Sequence, residues 1–300
     1  MPLRRRHNHP RPRRLQRDGL SPLLAVPNVS EGRDHTTLDA IGRAFETGGA
    51  RLLDRHEDPD HHRAVFTLAG EPGTLAQAVL AGAREAIARI DLTRHVGGHP
   101  RVGAIDVAPI VYLDRGARGA AIAEALVLAD GLGREGLPVY LYGALAGGRT
   151  RAELRRGGPE ALIGRTAPDF GPPRLHPTAG AVLVSAREPL VAFNVELAAP
   201  ATLADARAIA ALIREGGAEG LPGVRAIGVQ LGHAAQVSTN VEDHRAATPA
   251  DVVAAVRRHA PVAAAELVAL APEAALRGLP EDVPLRGRAT IEERLGAGPR

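Results

Sequence analysis

TLAQAVLAGAREAIARI, residues 74–90, is the stretch on which the fold turns. Leu75, Val79, Ala83, Ile87 and Ile90 recur at steps of three and four, the period of a helix with one buried stripe. The spacing predicts a helix over 74–90. What precedes and follows it decides the architecture. Upstream, RLLDR (51–55) and AVFTL (64–68) read as strands, separated by a polar connection. Before them, Leu38, Ile41 and Phe45 mark a helix over 37–45, and LLAVP (23–27) reads as a short apolar strand. Downstream, VGAIDVAPIVYL (102–113) reads as a strand again. The order is β-α-β-β-α-β, the split βαβ arrangement of ferredoxin-like folds. A helix over 120–133 and a strand over 138–142 extend it.

The order then recurs without a close repeat of sequence. Strands are predicted over 181–185 and 190–197. Thr202, with Asp205 three residues on, caps a helix striped by Leu203, Ala206, Ile209, Ala210 and Ile213, and Gly216-Gly217 ends it. Strands follow over 224–231 and 236–241. Thr248-Pro249 opens a further helix, and 266–270 closes the set as a strand. The expectation is an α+β fold of two ferredoxin-like (β-α-β-β-α-β) lobes with a ligand cleft between them. Four segments are expected: a basic, disordered tail at 1–20, an N-terminal subdomain at 21–180, a C-terminal subdomain at 181–279, and a weakly ordered Pro/Gly/Arg-rich tail at 280–300.

The 300 residues are 45% hydrophobic, enough for a sizeable core, yet only 2% aromatic. The core is therefore built from Ala, Val, Leu and Ile. There is no cysteine, which excludes disulfides, thiolate metal sites and cysteine nucleophiles and suits a cytoplasmic protein. There is no lysine, which excludes Schiff-base chemistry. No apolar run reaches the roughly 18 residues of a membrane span. The charge is uneven. Residues 1–20 carry seven arginines and one aspartate, a net of +6 against +3 for the whole chain, so the remainder is acidic on balance. That balance argues against nucleic acid as the main partner.

Four segments concentrate chemistry. HVGGHPRVGAIDV (95–107) runs from a Gly-Gly turn into a strand, with His99 as a candidate acid–base group, Arg101 for a carboxylate and Asp106 to orient a partner. DRHEDPDHHR (54–63) has the density of a metal-dependent hydrolase site, but Pro59 puts most of it at a hairpin tip. APDFGPPRLHPTAG (167–180) is a rigid loop carrying Phe170, Arg174 and His176. Gln236, Ser238 and Asn240 alternate with apolar residues and make one strand face polar.

Eight ordered stretches are similar to one family. They are VPNVSEGR (26–33), RHVGGHPRVGAIDV (94–107), LPVYLYG (137–143), APDFGP (167–172), HPTAGA (176–181), LVAFNVEL (190–197), AIGVQL (226–231) and AQVSTN (235–240). They resemble the formiminotransferase family over roughly residues 23–276. The resemblance implies transfer of a formimino group from N-formimino-L-glutamate to tetrahydrofolate, in histidine breakdown and one-carbon metabolism. It implies folate between two α/β subdomains and a homodimer. It makes His99, in the HPR triplet, the catalytic base. It makes Gly171, Pro172, Pro173, Arg174, Leu175, His176, Pro177, Thr178, Ala179 and Gly180 the folate-binding segment. Arg63 and Arg101 are candidates for the substrate carboxylates, and Asp106 for electrostatic help. No metal is expected. The chain departs from the family pattern at Gly98, where an acid is usual, at His56, where an acid or small polar residue is common, and at His62, where Asn is usual. These departures motivate a second reading, a folate-binding paralogue with another one-carbon donor or no transferase activity.

Overall fold

The structure is a computed structural model describing residues 21–96 and 100–296. The basic tail at 1–20, the triplet Gly97, Gly98 and His99, and the last four residues lie outside the described residues.

Two short strands, β1 (Leu23–Ala25) and β2 (Asn28–Val29), flank Pro27, which has no N–H to give to a ladder. Asp34 then caps α1 (His35–Thr47) by accepting the Thr36 N–H. A hairpin of β3 (Arg51–Asp58) and β4 (Arg63–Gly70) leads to α2 (Leu75–Arg89) and β5 (Ile105–Val111). The chain continues through α3 (Arg118–Arg134), β6 (Val139–Leu141), the short helices α4 (Arg151–Arg155) and α5 (Gly158–Arg165), and β7 (Val182–Arg187). These seven strands form one sheet. β3 lies at an edge beside β4. β1 and β2 together fill the place between β4 and β5, and β7 and β6 follow. Pairing is antiparallel as far as β5, then parallel from β5 through β7 to β6. The parallel part needs a crossover, which α3 and the 143–180 segment supply.

The helix-bearing face of this sheet is the main core. Leu38, Ile41 and Phe45 of α1 are wholly buried, as are Leu75, Val79 and Ala83 of α2, which bears out the predicted stripes. Phe45 meets Phe66 of β4 edge to face at 5.2 Å between ring centroids. Gly82 of α2 makes this contact possible, since a Cβ there would lie 2.1 Å from the Phe45 ring.

A second sheet uses β8 (Val191–Leu197), β9 (Val224–Gln230), β10 (Ala235–Val241), β11 (Val262–Leu267) and β12 (Leu285–Arg286), in the order β12-β11-β8-β10-β9. α6 (Leu203–Ile213) and α7 (Pro249–Arg257) cover its outer face; α6 is opened by the expected Thr202 and Asp205 capping box, and α7 by the expected Thr248-Pro249 with a capping box from Asp251 in addition. The inner faces of the two sheets look toward each other across a cleft. The fold is therefore α+β with two sheets. Among the described residues no helix is long and apolar enough to cross a membrane.

Three boundaries differ from the sequence reading. The strand after residue 180 joins the first sheet, beside β5 and β6, so the changeover between sheets falls between Arg187 and Val191 rather than at 180/181. The last long strand is Val262–Leu267 rather than 266–270, because its ladder with β8 recruits an alanine-rich run of weak intrinsic preference. The stretch after 280, expected to be weakly ordered, contributes β12 and the helix α8 (Ile291–Gly296). Arg286 pairs with Glu196, Ile291 is buried, and Arg294 reaches Asp54 at 3.7 Å. Short elements held by such long-range contacts carry little periodic signal.

Candidate active site

The hairpin register fixes what enters the cleft from the first sheet. Residues directly opposite on antiparallel strands share a face, so His56 and Val65, and Asp58 and Arg63, point the same way. Arg63, Val65 and Thr67 line the cleft, joined by Asn28 and by Val107 of β5. The second sheet supplies Ala192 and Asn194 of β8, Ser238 and Asn240 of β10, and Arg225 and Ile227 of β9. Two of the three polar residues singled out on β10 thus face the cavity, while the third, Gln236, is wholly buried. The cavity encloses about 640 Å³, within the range of a small-molecule site.

Its charge is one-sided. Arg63, Arg151, Arg155, Arg156, Arg187, Arg214 and Arg225 line it against Glu215 and Glu242. Among the described residues four of these cations have carboxylate partners. Arg155 pairs with buried Asp106, which also accepts the Val102 N–H at 2.7 Å. Arg151 and Arg225 share Glu242 at 3.7 Å each, and Arg63 lies 3.9 Å from Asp58. Burial pushes the pKa of Arg63 and of Arg187 down from the ordinary arginine value, yet a guanidinium stays charged in a protein. Arg187 donates to the Glu188 carbonyl at 3.0 Å, and its Nε is buried without a hydrogen-bond partner among the described residues. A cavity of this composition selects an anionic, partly apolar ligand.

One ionisable pair spans the two sheets. His56 of β3 lies 4.0 Å from Glu266 of β11, and Glu266 accepts from the Asn194 amide at 3.2 Å. Burial pushes the His56 pKa down, opposed by the Glu266 carboxylate. The remaining histidines of the 54–63 segment turn elsewhere. His61 binds Asp58 at 2.5 Å, and His62 binds Glu31 at 3.0 Å. Among the described residues no three His, Asp or Glu side chains converge on a point that would hold a metal ion. Strand alternation and the hairpin turn disperse what the sequence clusters.

The 167–180 loop and the 94–107 segment lie side by side. Thr178 accepts the Leu92 N–H at 2.8 Å, Ala179 accepts the Ala104 N–H at 2.9 Å, and the Ala181 N–H donates to Val102 at 2.8 Å. Gly180, at φ +68°, fits where a Cβ would meet the Val102 carbonyl at 2.3 Å. His176 closes the loop by accepting the Ala179 N–H at 3.1 Å. Pro100 carries the 94–107 segment to the cavity wall, whereas residues 171–180 stand beside that segment rather than on the wall. Phe170 packs on the main core, and Tyr142 is buried with Arg151 5.8 Å from its ring centroid. Arg101 turns away from the cavity, donating to the His61 carbonyl at 3.2 Å and contacting the His95 ring. His99, the candidate base, lies outside the described residues. The arginines of α4, Arg187, Asn194 and Glu266 escape the sequence reading, because nothing in a five-residue helix or a buried strand marks which residues face a cleft. The asparagine within LVAFNVEL is the one available hint.

Comparison with known proteins gives a consistent result. The model of the formiminotransferase domain, N-terminal subdomain, matches residues 23–187. The formimidoyltransferase-cyclodeaminase of Sus scrofa is 39% identical over 84% of this chain and 50% of its own length. The glutamate formimidoyltransferase of Streptococcus pyogenes serotype M1 is 38% identical over 72% of this chain and 76% of its own. The glutamate formimidoyltransferase of Thermoplasma acidophilum is 35% identical over 59% and 62%. The chain spans about half the length of the formimidoyltransferase-cyclodeaminases it matches.

Proposed function

Because the chain belongs to the formiminotransferase family, we propose that it is a glutamate formimidoyltransferase acting in the cleft between its two sheets. The donor is N-formimino-L-glutamate and the acceptor tetrahydrofolate, the reaction of histidine degradation and one-carbon metabolism. The observation that carries the reading is the arginine-rich cavity, reached at Pro100 by the HPR segment. Both substrates bear carboxylates, which guanidiniums hold bidentately. Arg63 is assigned to this task. Asp106 acts through Arg155, which it holds at the wall. Residues 171–180 are assigned to folate, supported by the backbone hydrogen bonds of Thr178 with Leu92 and of Ala179 with Ala104.

The chemistry needs one proton carrier. Folate N5 forms a bond to the amidine carbon, and the bond from that carbon to the glutamate nitrogen breaks. N5 sheds a proton that the departing nitrogen takes up. An imidazole, with an ordinary pKa of about 6.5, can accept the first and return the second. His99 is assigned this role. We further assign each sheet with its helices to a ferredoxin-like subdomain, supported by the strand orders, and we assign the protein to the cytoplasm as a homodimer. Calorimetric titration with tetrahydrofolate and a transfer assay on wild type and His99→Ala test the reading. Folate binding with transfer lost in the variant is expected, and undiminished transfer in His99→Ala refutes the assignment of the base. The His56–Glu266 pair favours a second reading, a different one-carbon donor at the same cleft. Folate binding without formimino transfer selects it.

A further inference from the structure

We propose that Asn194 recognises the formimino group of the donor: its side-chain oxygen, turned toward the cavity by Glu266, accepts an N–H of the amidinium. This rests on the donor assigned above.

Ser238, Asn194 and Glu266 stand in one row across the second sheet. Asn194 of β8 lies opposite Ser238 of β10 on one side and Glu266 of β11 on the other. Directly opposed residues of antiparallel strands share a face, and Asn194 and Ser238 line the cavity. Asn194 is only 1% exposed, and its Nδ2 donates to Glu266 Oε2 at 3.2 Å. A carboxylate only accepts, so the NH2 edge of the amide faces Glu266 and the carbonyl edge is left for the cavity. Among the described residues no donor reaches Asn194 Oδ1. A buried acceptor without a donor costs stability unless a ligand or water fills it. Asn28 on the first sheet is fixed in the same way, but by the neutral Val26 carbonyl at 3.1 Å.

The donor needs such an acceptor. An amidine, like a guanidine, carries a proton near neutrality, and its terminal nitrogen then has N–H groups to donate and no lone pair to accept. The two carboxylates of the donor suit the arginines of the wall, whereas its amidinium does not. Glu266 places the opposite charge behind Asn194, which polarises the amide and strengthens its oxygen as an acceptor. The cations near Glu266 are engaged: Arg286 pairs with Glu196, and Arg63 lies 3.9 Å from Asp58. His56 lies 4.0 Å from Glu266, and burial, opposed by that carboxylate, pushes its pKa down and favours the neutral ring. The terminal nitrogen of the amidinium stays on the carbon that moves to folate, so one hydrogen bond to Asn194 serves before and after the transfer. A formyl group in its place turns a carbonyl oxygen toward Asn194, acceptor against acceptor. Asn194 cannot relieve this by turning its amide over, because its own oxygen would then face Glu266.

The test compares N-formimino-L-glutamate with N-formyl-L-glutamate as donors to tetrahydrofolate, in wild type, Glu266→Gln and Asn194→Leu. The ratio of kcat/KM for the two donors, taken relative to wild type, cancels their intrinsic reactivities. Asn194→Leu also strips Glu266 of a donor, so Glu266→Gln is the deciding variant. Glutamine there keeps the volume and bonds either edge of the asparagine amide, which is then free to turn and meet a formyl oxygen. The ratio is expected to fall about 10-fold or more in Glu266→Gln, the scale of one lost charge-assisted hydrogen bond, carried mainly by the KM for the formimino donor. Asn194→Leu should lower it at least as far. The KM for tetrahydrofolate stays within about twofold in both variants, which also reports a folded cleft. A ratio within about twofold of wild type in Glu266→Gln overturns the proposal. So does a KM for tetrahydrofolate that rises together with that for the donor, since Asn194 then meets folate instead. Absence of transfer from N-formimino-L-glutamate in the wild type refutes the reading of the donor, whereas transfer with an unmoved ratio refutes only the role of Asn194.

Discussion

Asp106→Asn isolates what one buried carboxylate does for the cleft wall. Asp106 is 4% exposed, and one oxygen takes the Val102 N–H at 2.7 Å while the other faces Arg155. Asparagine keeps an acceptor for Val102 but turns an amide or an uncharged oxygen toward a guanidinium. Breaking a buried ion pair from one side costs ~3–5 kcal/mol, because a charge is left without its counterion. The Arg155 side chain retains 16% of its surface at the cleft, so water takes up part of that loss. The expected destabilisation is about 2–3 kcal/mol, read as a lower urea midpoint at unchanged slope. The same substitution in an Arg155→Met background should cost about 1–2 kcal/mol less, since the stranded cation is gone. The KM for folate should rise in Asp106→Asn, because Arg155 loses its fixed position at the wall. Additive single and double effects, with a coupling under about 0.5 kcal/mol, would refute the reasoning.

Other consequences are as direct. Gly82→Ala drives a Cβ into the Phe45 ring and should destabilise by about 1–3 kcal/mol; Phe45→Leu in the same chain should relieve much of it in thermal or urea unfolding. Arg187→Met removes a cation with no carboxylate within ion-pair distance among the described residues, so the KM for folate should rise about 10-fold or more with little change in thermal stability. Unchanged KM at several ionic strengths would remove Arg187 from the binding wall. Hydrogen bonding to Arg286, against opposing burial, depresses the pKa of Glu196 from its ordinary 4.5. The protonated form is thus disfavoured in the folded chain, so this contribution is complete above about pH 4.5 and lost as pH falls through the lower folded value. Glu196→Gln should flatten that part of the acid limb of stability, measured by urea unfolding from pH 6 downward, and an unaltered limb would dismiss the role.

Sequence alone determined the long, periodic elements and their order, but not the short α4, α5, β12 and α8. The stripe over 74–90, the capping threonines Thr202 and Thr248, and the alternating strands report nearest-neighbour physics, and each reappears within a few residues of its predicted bounds. The eight ordered stretches carried the family. Sequence did not determine which sheet the strand over 182–187 joins, because parallel pairing with β5 and β6 rests on partners distant in the chain. Nor did it separate the histidines of DRHEDPDHHR. Adjacent in sequence, they diverge in space: His56 lies on the cleft face of β3 toward Glu266, His61 turns to Asp58, and His62 occupies a left-handed turn against Glu31. Arg63 and Arg101 looked equivalent as carboxylate ligands, but strand register aims one into the cavity and the hairpin tip captures the other. A side chain's chemical type is written in the sequence. Its direction, and so the group it meets, is set by pairing across the sheets and by the turn between β3 and β4, which only the tertiary structure decides.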